Sequence, residues 1–415
     1  MHSLYNIGIF LYGFALRLAA PFVSKAKLWT EGRKDDISSV KKWRENQQGR
    51  VIWVHCASLG EFEQGRPIIE FIKSNYPDIR ILLTFFSPSG YEIRKNYAQA
   101  DYICYLPLDT PSLSRQFVHA ARPSASIFVK YEYWANYFFQ LKKEHIPLFI
   151  VSGIFREDQQ FFGSQKAFWS SVFSSVDHFF LQNKNSQLLL QRVSDRPSTV
   201  CGDTRYDRVE EIAKDFCSIE QIAEFAGNAN VLIGGSTYAS EEKIIRELLD
   251  EHSNWKAIIA PHEIEESRLK EIEQLYGSMF VRFSQWNKEA SNSARVMLID
   301  NMGMLSRIYH YGHIALIGGG FGKGIHNTLE AAVYGMPLFF GPRYHKFDEA
   351  VQLIASGAAE SAEAMSGLQN RMTFAMNDLE KRKKMGASAR IQVEDNLGSV
   401  AIIIKHLENQ GILAR

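Results

Sequence analysis

The stretch "VIWVHCASLGEFEQGRP", residues 51 to 67, runs from a wholly apolar strand into a Ser-Leu-Gly-Glu turn and then into a helix. A strand that is apolar at consecutive positions is buried on both faces, as in a parallel sheet covered by crossover helices. The pattern recurs in "RILLTFF" (80–86), "DYICYLP" (101–107), "ASIFVK" (125–130), "PLFIVSG" (147–153), "HFFLQN" (178–183) and "STVCG" (198–202). It breaks over 205–228 and resumes with "NVLIGGST" (230–237), "KAIIAPHE" (256–263), "MFVRF" (279–283), "ARVMLID" (from 294), "HIALIGGG" (313–320) and "MPLFFGP" (336–342). Two series in 415 residues imply two domains, since one core seldom serves more than about 300 residues. The expected fold class is α/β, two doubly wound Rossmann-like domains facing a cleft, with ligands beyond the carboxyl ends of the strands.

A net charge of +1 excludes a general nucleic-acid binder. Residues 1–50 nevertheless carry nine basic against four acidic side chains, a balance of +5, which leaves −4 for the remainder. Cys56, Cys104, Cys201 and Cys217 have no metal-ligand spacing and read as buried thiols in a reducing compartment. The segment 4–23, "LYNIGIFLYGFALRLAAPFV", reads as an amphipathic helix with a narrow stripe of Asn6, Gly13, Arg17 and Ser24 and with Leu4, Ile7, Leu11, Phe14, Leu18 and Phe22 on its other faces. Its basic residues follow the apolar run, unlike those of a cleaved signal peptide. Expected, therefore, is a helix attached to a membrane, with Tyr5, Tyr12 and Trp29 as an interfacial belt and the basic residues against anionic lipid. The alternative is a core helix of the first domain.

Ser58 and Glu61 have the spacing of a capping box. A helix starting at Leu59, however, would hold Pro67 two turns inside it, at a cost of about 3 kcal/mol against about 1 kcal/mol for the cap. The helix is therefore expected to begin near Glu63–Arg66, with Ser58–Phe62 as a loop presenting Glu61 as a general base. Glu132 follows the strand ending at Lys130, and Arg205 follows the one ending near Cys201. Glu132 is a candidate for pairing with a lysine or for catalysis, Arg205 for bracing a linker or for stabilising departing charge.

In "IGGGFGKGIHNTLEAAVYGMP" (317–337) a strand end and five glycines precede a helix. No P-loop or dinucleotide fingerprint fits, leaving a phosphate-accepting helix start on which His326, Asn327 and Glu330 share an edge. The alternative is a Gly-rich turn capped by Asn327. "GGSTYASEE" (234–242) offers Ser236 and Thr237 before another helix; Pro261, His262 and the "DNMGML" segment follow two further strands. Four strand ends on one carboxyl edge point to a nucleotide-binding domain. No Asp-x-Asp pair follows a strand, so no metal and no cofactor are expected.

The stretches "ASLGEFEQGRPII", "SPSGYE", "YLPLDTP", "YEYWANY", "GDTRYD", "GGSTYASEE", "DNMGML" and "GGGFGKGIHNTLEAAVYGMPLFFGP" resemble the 3-deoxy-D-manno-octulosonic acid (Kdo) transferases of lipopolysaccharide assembly. The resemblance implies a GT-B glycosyltransferase that moves Kdo from CMP-Kdo to a lipid A precursor, inverting and metal-independent, on the cytoplasmic face of the inner membrane. It implies Glu61 as catalytic base, with Ser58 and Gly60 on the acceptor side, and Glu132 and Arg205 as stabilisers of the transition state. Ser236, Thr237, Pro261, His262, Met302, Gly303, Met304, Asn327, Thr328, Leu329 and Glu330 would hold CMP. The sequence departs from the family pattern at Lys130, Arg205, Met304 and Thr328. Expected boundaries are 1–30 for a membrane-associated helix, 31–205 for the acceptor domain, 206–228 for a linker, 229–395 for the CMP-sugar domain and 396–415 for a helix packing back on the first domain. A UDP-sugar transferase of the same fold and a non-catalytic nucleotide-binding membrane protein are the alternatives.

Overall fold

A computed structural model describes residues 1–34, 36–287 and 293–414. The chain divides into two compact units, Met1–Arg208 with Gly398–Arg415, and Val209–Leu397. The 206–228 stretch is two helices, Thr204–Lys214 and Glu220–Ala226.

In the first unit, β1 (Val51–Cys56), β2 (Arg80–Phe85), β3 (Tyr102–Tyr105), β4 (Ala125–Val129), β5 (Leu148–Gly153), β6 (His178–Leu181) and β7 (Ser198–Val200) form one parallel sheet, ordered β3-β2-β1-β4-β5-β6-β7. All six residues of β1 are buried. Val51 and Trp53 face one core with Phe117 and Tyr137, whereas Ile52, Val54 and Cys56 face another with Phe62 and Ile69. The helix Ser399–Asn409 adds Val400, Ile403, Ile404 and Leu407 to that second core.

The second unit repeats the plan with β8 (Asn230–Thr237), β9 (Trp255–Pro261), β10 (Phe280–Arg282), β11 (Val296–Leu298), β12 (Ile314–Ile317), β13 (Leu338–Phe340) and β14 (Ala359–Ser361), ordered β10-β11-β9-β8-β12-β13-β14. The last, three-residue strand has no counterpart in the sequence reading. Strand order reverses direction between β1 and β4 in one sheet and between β8 and β12 in the other. At such a reversal the helices leave on opposite faces and open a crevice at the carboxyl edge.

The amino-terminal helix His2–Ala19 is followed by Ser24–Glu31 at a bend of 117°, and neither is long and apolar enough to cross a membrane alone. Of the expected narrow stripe, Asn6 and Gly13 pack on protein, whereas Arg17 and Ser24 are exposed. His2 Nε2 and Asn6 Oδ1 each lie 2.9 Å from the Asn136 side chain, and Tyr5 donates to Asp109 at 2.6 Å. Gly13 lies against Leu108, whose Cδ2 would be 2.5 Å from any Cβ added there. Of the expected aromatic belt, Tyr12 is exposed, but Trp29 is buried and its ring carries the Arg33 guanidinium at 3.9 Å. Arg33, expected to face lipid, donates instead to the carbonyls of Trp29, Phe86 and Leu106 at 2.6–2.9 Å. Leu4, Ile7, Phe10, Leu11, Phe14 and Leu18 are exposed. Among the cysteines, all free, Cys56 and Cys104 are buried but Cys217 is exposed.

Candidate functional site

The helix after β1 begins at Leu59 and runs to Asn75 with Pro67 inside it, so Ser58 is its N-cap and Glu61 lies in its first turn. This corrects the expectation of a loop over Ser58–Phe62. The proline leaves the Glu63 carbonyl without its helical donor, and the next carbonyl, that of Gln64, accepts from the Thr204 hydroxyl at 2.6 Å. Gly65 lets the helix approach the sheet, since a Cβ there would sit 2.8 Å from Cys56 Sγ.

The Ser58 hydroxyl donates to Glu61 Oε2, the carboxylate drawing on its neighbour's side chain. Glu61 is 9 % exposed, and its pKa is raised, first by burial and then by the negative charge of Glu132, with Lys130 acting in the opposite sense. Glu132 stands beyond β4, across the strand reversal. Trp134 Nε1 donates to its Oε2 at 2.9 Å, and His55 Nε2 lies 3.7 Å from the same oxygen. His55 is completely buried in β1, with Nδ1 2.8 Å from Thr84 Oγ1, which also accepts from Trp53 Nε1. Burial holds the His55 pKa down. Lys130 adopts φ 69°, a left-handed conformation that strains a side chain with a Cβ.

Arg205, in the first turn of Thr204–Lys214, donates through Nε and Nη2 to Asp203 Oδ2 at 3.0 and 2.8 Å. Asp203 also accepts from Gln64 at 2.8 Å, and Arg205 keeps its carboxyl low despite burial. The pair fixes a guanidinium on the same carboxyl edge. His55, Gln64 and Asp203 escaped the sequence reading. His55 alone left a signal there, as the one polar residue in an apolar run.

In the second unit the nominated residues follow four adjacent strands, β11, β9, β8 and β12. Ser236, at φ 51°, and Thr237 end β8; Thr237 donates to Glu242 at 3.0 Å. The following helix, Ala239–Glu251, has its Tyr238 N–H bonded to Glu241 at 3.1 Å, so a carboxylate already serves its start. Pro261 ends β9, and the His262 ring lies 5.0 Å from Tyr238 and 4.4 Å from His326. Burial and then His262 push the His326 pKa down to about 4. Met302 is exposed, Gly303 takes φ 90°, and Met304 leads into the turn Leu305–Ile308.

The glycine-rich loop has a packing reason. A Cβ on Gly318 would lie 1.9 Å from the Ser236 carbonyl oxygen, and one on Gly320 would lie 2.4 Å from Gly341 N. The helix expected after it is a single turn, Leu329–Ala332, too short for the macrodipole that a phosphate-accepting helix start requires. Asn327 caps it, accepting from Leu329 N at 3.1 Å and donating to Glu330 at 2.9 Å, while Thr328 is buried. Tyr238, whose Oη lies 3.3 Å from His326 Nε2, was not among the nominated residues.

Comparison with known proteins follows the same division. The profile of the family described as "3-Deoxy-D-manno-octulosonic-acid transferase (kdotransferase)" matches residues 33–208. The 3-deoxy-D-manno-octulosonic acid transferase of Haemophilus influenzae is 25% identical over 373 residues, 86% of each chain. The first unit matches the profile of the Kdo transferase family, and most of the chain is similar to proteins named Kdo transferase. The transferase of the same name from Chlamydophila psittaci is 27% identical over 80% of this chain and 79% of its own. Family likeness thus extends through the second unit. A solved putative UDP-N-acetylglucosamine 2-epimerase from Listeria monocytogenes superposes with TM-score 0.62 at 11% identity, covering 89% of this chain and 98% of that one, which bears on fold alone. The fold is of GT-B type, with two Rossmann-like domains.

Proposed function

We propose that this chain is a Kdo transferase, a glycosyltransferase that moves Kdo from CMP-Kdo to a lipid A precursor in lipopolysaccharide assembly, with Glu61 as the base. The observation that carries the assignment of the base is the pair Glu61 and Glu132, presented beyond β1 and β4 on either side of the strand reversal, where burial and then the Glu132 charge raise the Glu61 pKa. Glu61 takes the proton of the acceptor hydroxyl, and the oxygen attacks the anomeric carbon of Kdo. The bond from that carbon to the CMP phosphate breaks, CMP leaves with the electron pair, and the configuration inverts. Glu132, fixed by Trp134, faces positive charge developing on the sugar, and Arg205 faces the departing phosphate. The donor is held by the strand ends of the second unit, Ser236, Thr237, Pro261, His262, Met302–Met304 and Asn327–Glu330, without a metal.

We also propose attachment to the cytoplasmic face of the inner membrane through the exposed apolar side chains of His2–Ala19, which form a larger apolar surface than a soluble monomer ordinarily leaves bare. Incubating the purified chain with CMP-Kdo and a tetraacylated lipid A precursor should yield product heavier by Kdo residues. Turnover of UDP-sugars in place of CMP-Kdo, or CMP binding with no sugar transfer, overturns the reading.

A further inference from the structure

We infer that the amino-terminal helix supplies one wall of a binding pocket for the sugar head of an amphiphilic acceptor, in addition to any contact with lipid. The inference rests on the proposed transfer to a lipid A precursor. A cavity of about 520 Å³ lies wholly within the first unit, between the start of that helix, the loop after β4 and the segment from Gln160 to Trp169. Glu132 forms part of its wall, so the cavity opens beside the carboxylate facing the reacting sugar.

Its lining suits a saccharide. Tyr131, Tyr133, Trp134 and Trp169 offer flat apolar faces for the C–H bonds of a sugar ring, while Glu132 and Gln165 offer polar atoms for hydroxyls. Tyr133 is 6 % exposed, and its hydroxyl has no hydrogen-bond partner in the structure.

The helix contributes Met1, Leu4, Tyr5, Gly8 and Ile9, of which the first four are spaced three and four apart on one face. Leu4 also belongs to the exposed apolar row with Ile7, Leu11 and Leu18. One side chain is thus shared between the saccharide pocket and the apolar surface. An amphiphile placed with its head in the pocket has its hydrocarbon chains running out over that row. A hydrocarbon chain inside the pocket would instead be set against Glu132 and Gln165, which disfavours the opposite orientation.

Gly8 provides the test, because a Cβ there meets no atom within 4 Å and leucine is a better helix former than glycine. Gly8→Leu should therefore fold and fill the pocket. Expected is a rise of about tenfold or more in KM for the tetraacylated acceptor, with KM for CMP-Kdo and binding to anionic phospholipid vesicles unchanged. The deacylated glucosamine disaccharide bisphosphate should quench tryptophan fluorescence of the wild type, through Trp134 and Trp169, and do so at least tenfold less tightly in Gly8→Leu. An unchanged acceptor KM, or one that rises only in step with lost vesicle binding, overturns the inference. Should the wild type transfer no Kdo, the proposed function fails by itself, and the fluorescence titration still decides the pocket: equal binding by wild type and variant, or none by either, refutes it.

Discussion

Glu61 occupies a position that two opposing effects describe. A carboxylate in the first turn of a helix is stabilised by free N–H groups and the helix dipole, yet burial and Glu132 raise its pKa. A raised pKa makes it a stronger base, which suits deprotonation of a sugar hydroxyl. Glu61→Gln retains the shape and an oxygen for the Ser58 hydroxyl but cannot take the proton. We expect kcat to fall by about 10²–10⁴ with the melting temperature unchanged, and normal turnover would remove the base assignment. The acid limb of the pH–rate profile follows from the same charges. Because the base works only when ionised, activity falls as pH drops through the raised Glu61 pKa. In Glu132→Gln the second-largest cause of the rise is gone, so the limb should move to lower pH even as the maximal rate declines. A limb that stays in place would show that Glu61 does not set it. The sequence pointed to Glu61 through its place after an apolar strand. It misplaced the helix start because the cost of Pro67 was weighed against the cap alone, whereas the helix from Leu59 also buries Phe62, Ile68, Ile69 and Ile72.

Among the elements, the strands were legible because a doubly buried strand carries an uninterrupted apolar run, whereas the amino-terminal helix was legible only in its period. Which stripe met the protein depended on Asn136 and Asp109, both remote in sequence. The short helix after the glycines illustrates the same limit: Gly318 and Gly320 serve close backbone packing, so a pattern that reads as a phosphate cradle is also what two crowded strand ends require. Arg33 holds the amino-terminal helices to the sheet edge by three carbonyls, with the guanidinium over Trp29 and 4.7 Å from the Tyr105 ring centre. Burial lowers its pKa to about 10, still well above neutrality, so the charge persists. Arg33→Met keeps much of the stem but strands those carbonyls. A charge-assisted hydrogen bond contributes about 1.5–3 kcal/mol, and three coupled ones are not additive, so we expect a loss of about 3 kcal/mol in denaturant unfolding followed by first-unit probes. A loss under about 0.5 kcal/mol would make the clamp incidental.

At the scale of the whole molecule, the second unit is one continuous stretch, while the first is closed by the chain's last residues. The helix Ser399–Asn409 is tied there by Ser399 donating to the Cys201 carbonyl at 2.6 Å and by Asp207 accepting from Gly398 and Val400 N–H at 2.7 and 2.9 Å. Val400, Ile403, Ile404 and Leu407 lie at 9 % exposure or less in a core shared with Ile69, Phe149 and Phe180. Each such side chain contributes about 1.5–3 kcal/mol on burial, so the four together contribute about 6 kcal/mol or more. That is comparable with the entire stability of an ordinary domain, about 5–15 kcal/mol. A chain ending at Leu397 should therefore lose protection from hydrogen exchange across β1–β7, while β8, β9 and β12, whose core lies within Val209–Leu397, stay protected. Equal loss in both sheets would mean that the units unfold as one. Retained protection in β1–β7 would mean that the last helix covers the first core without holding it.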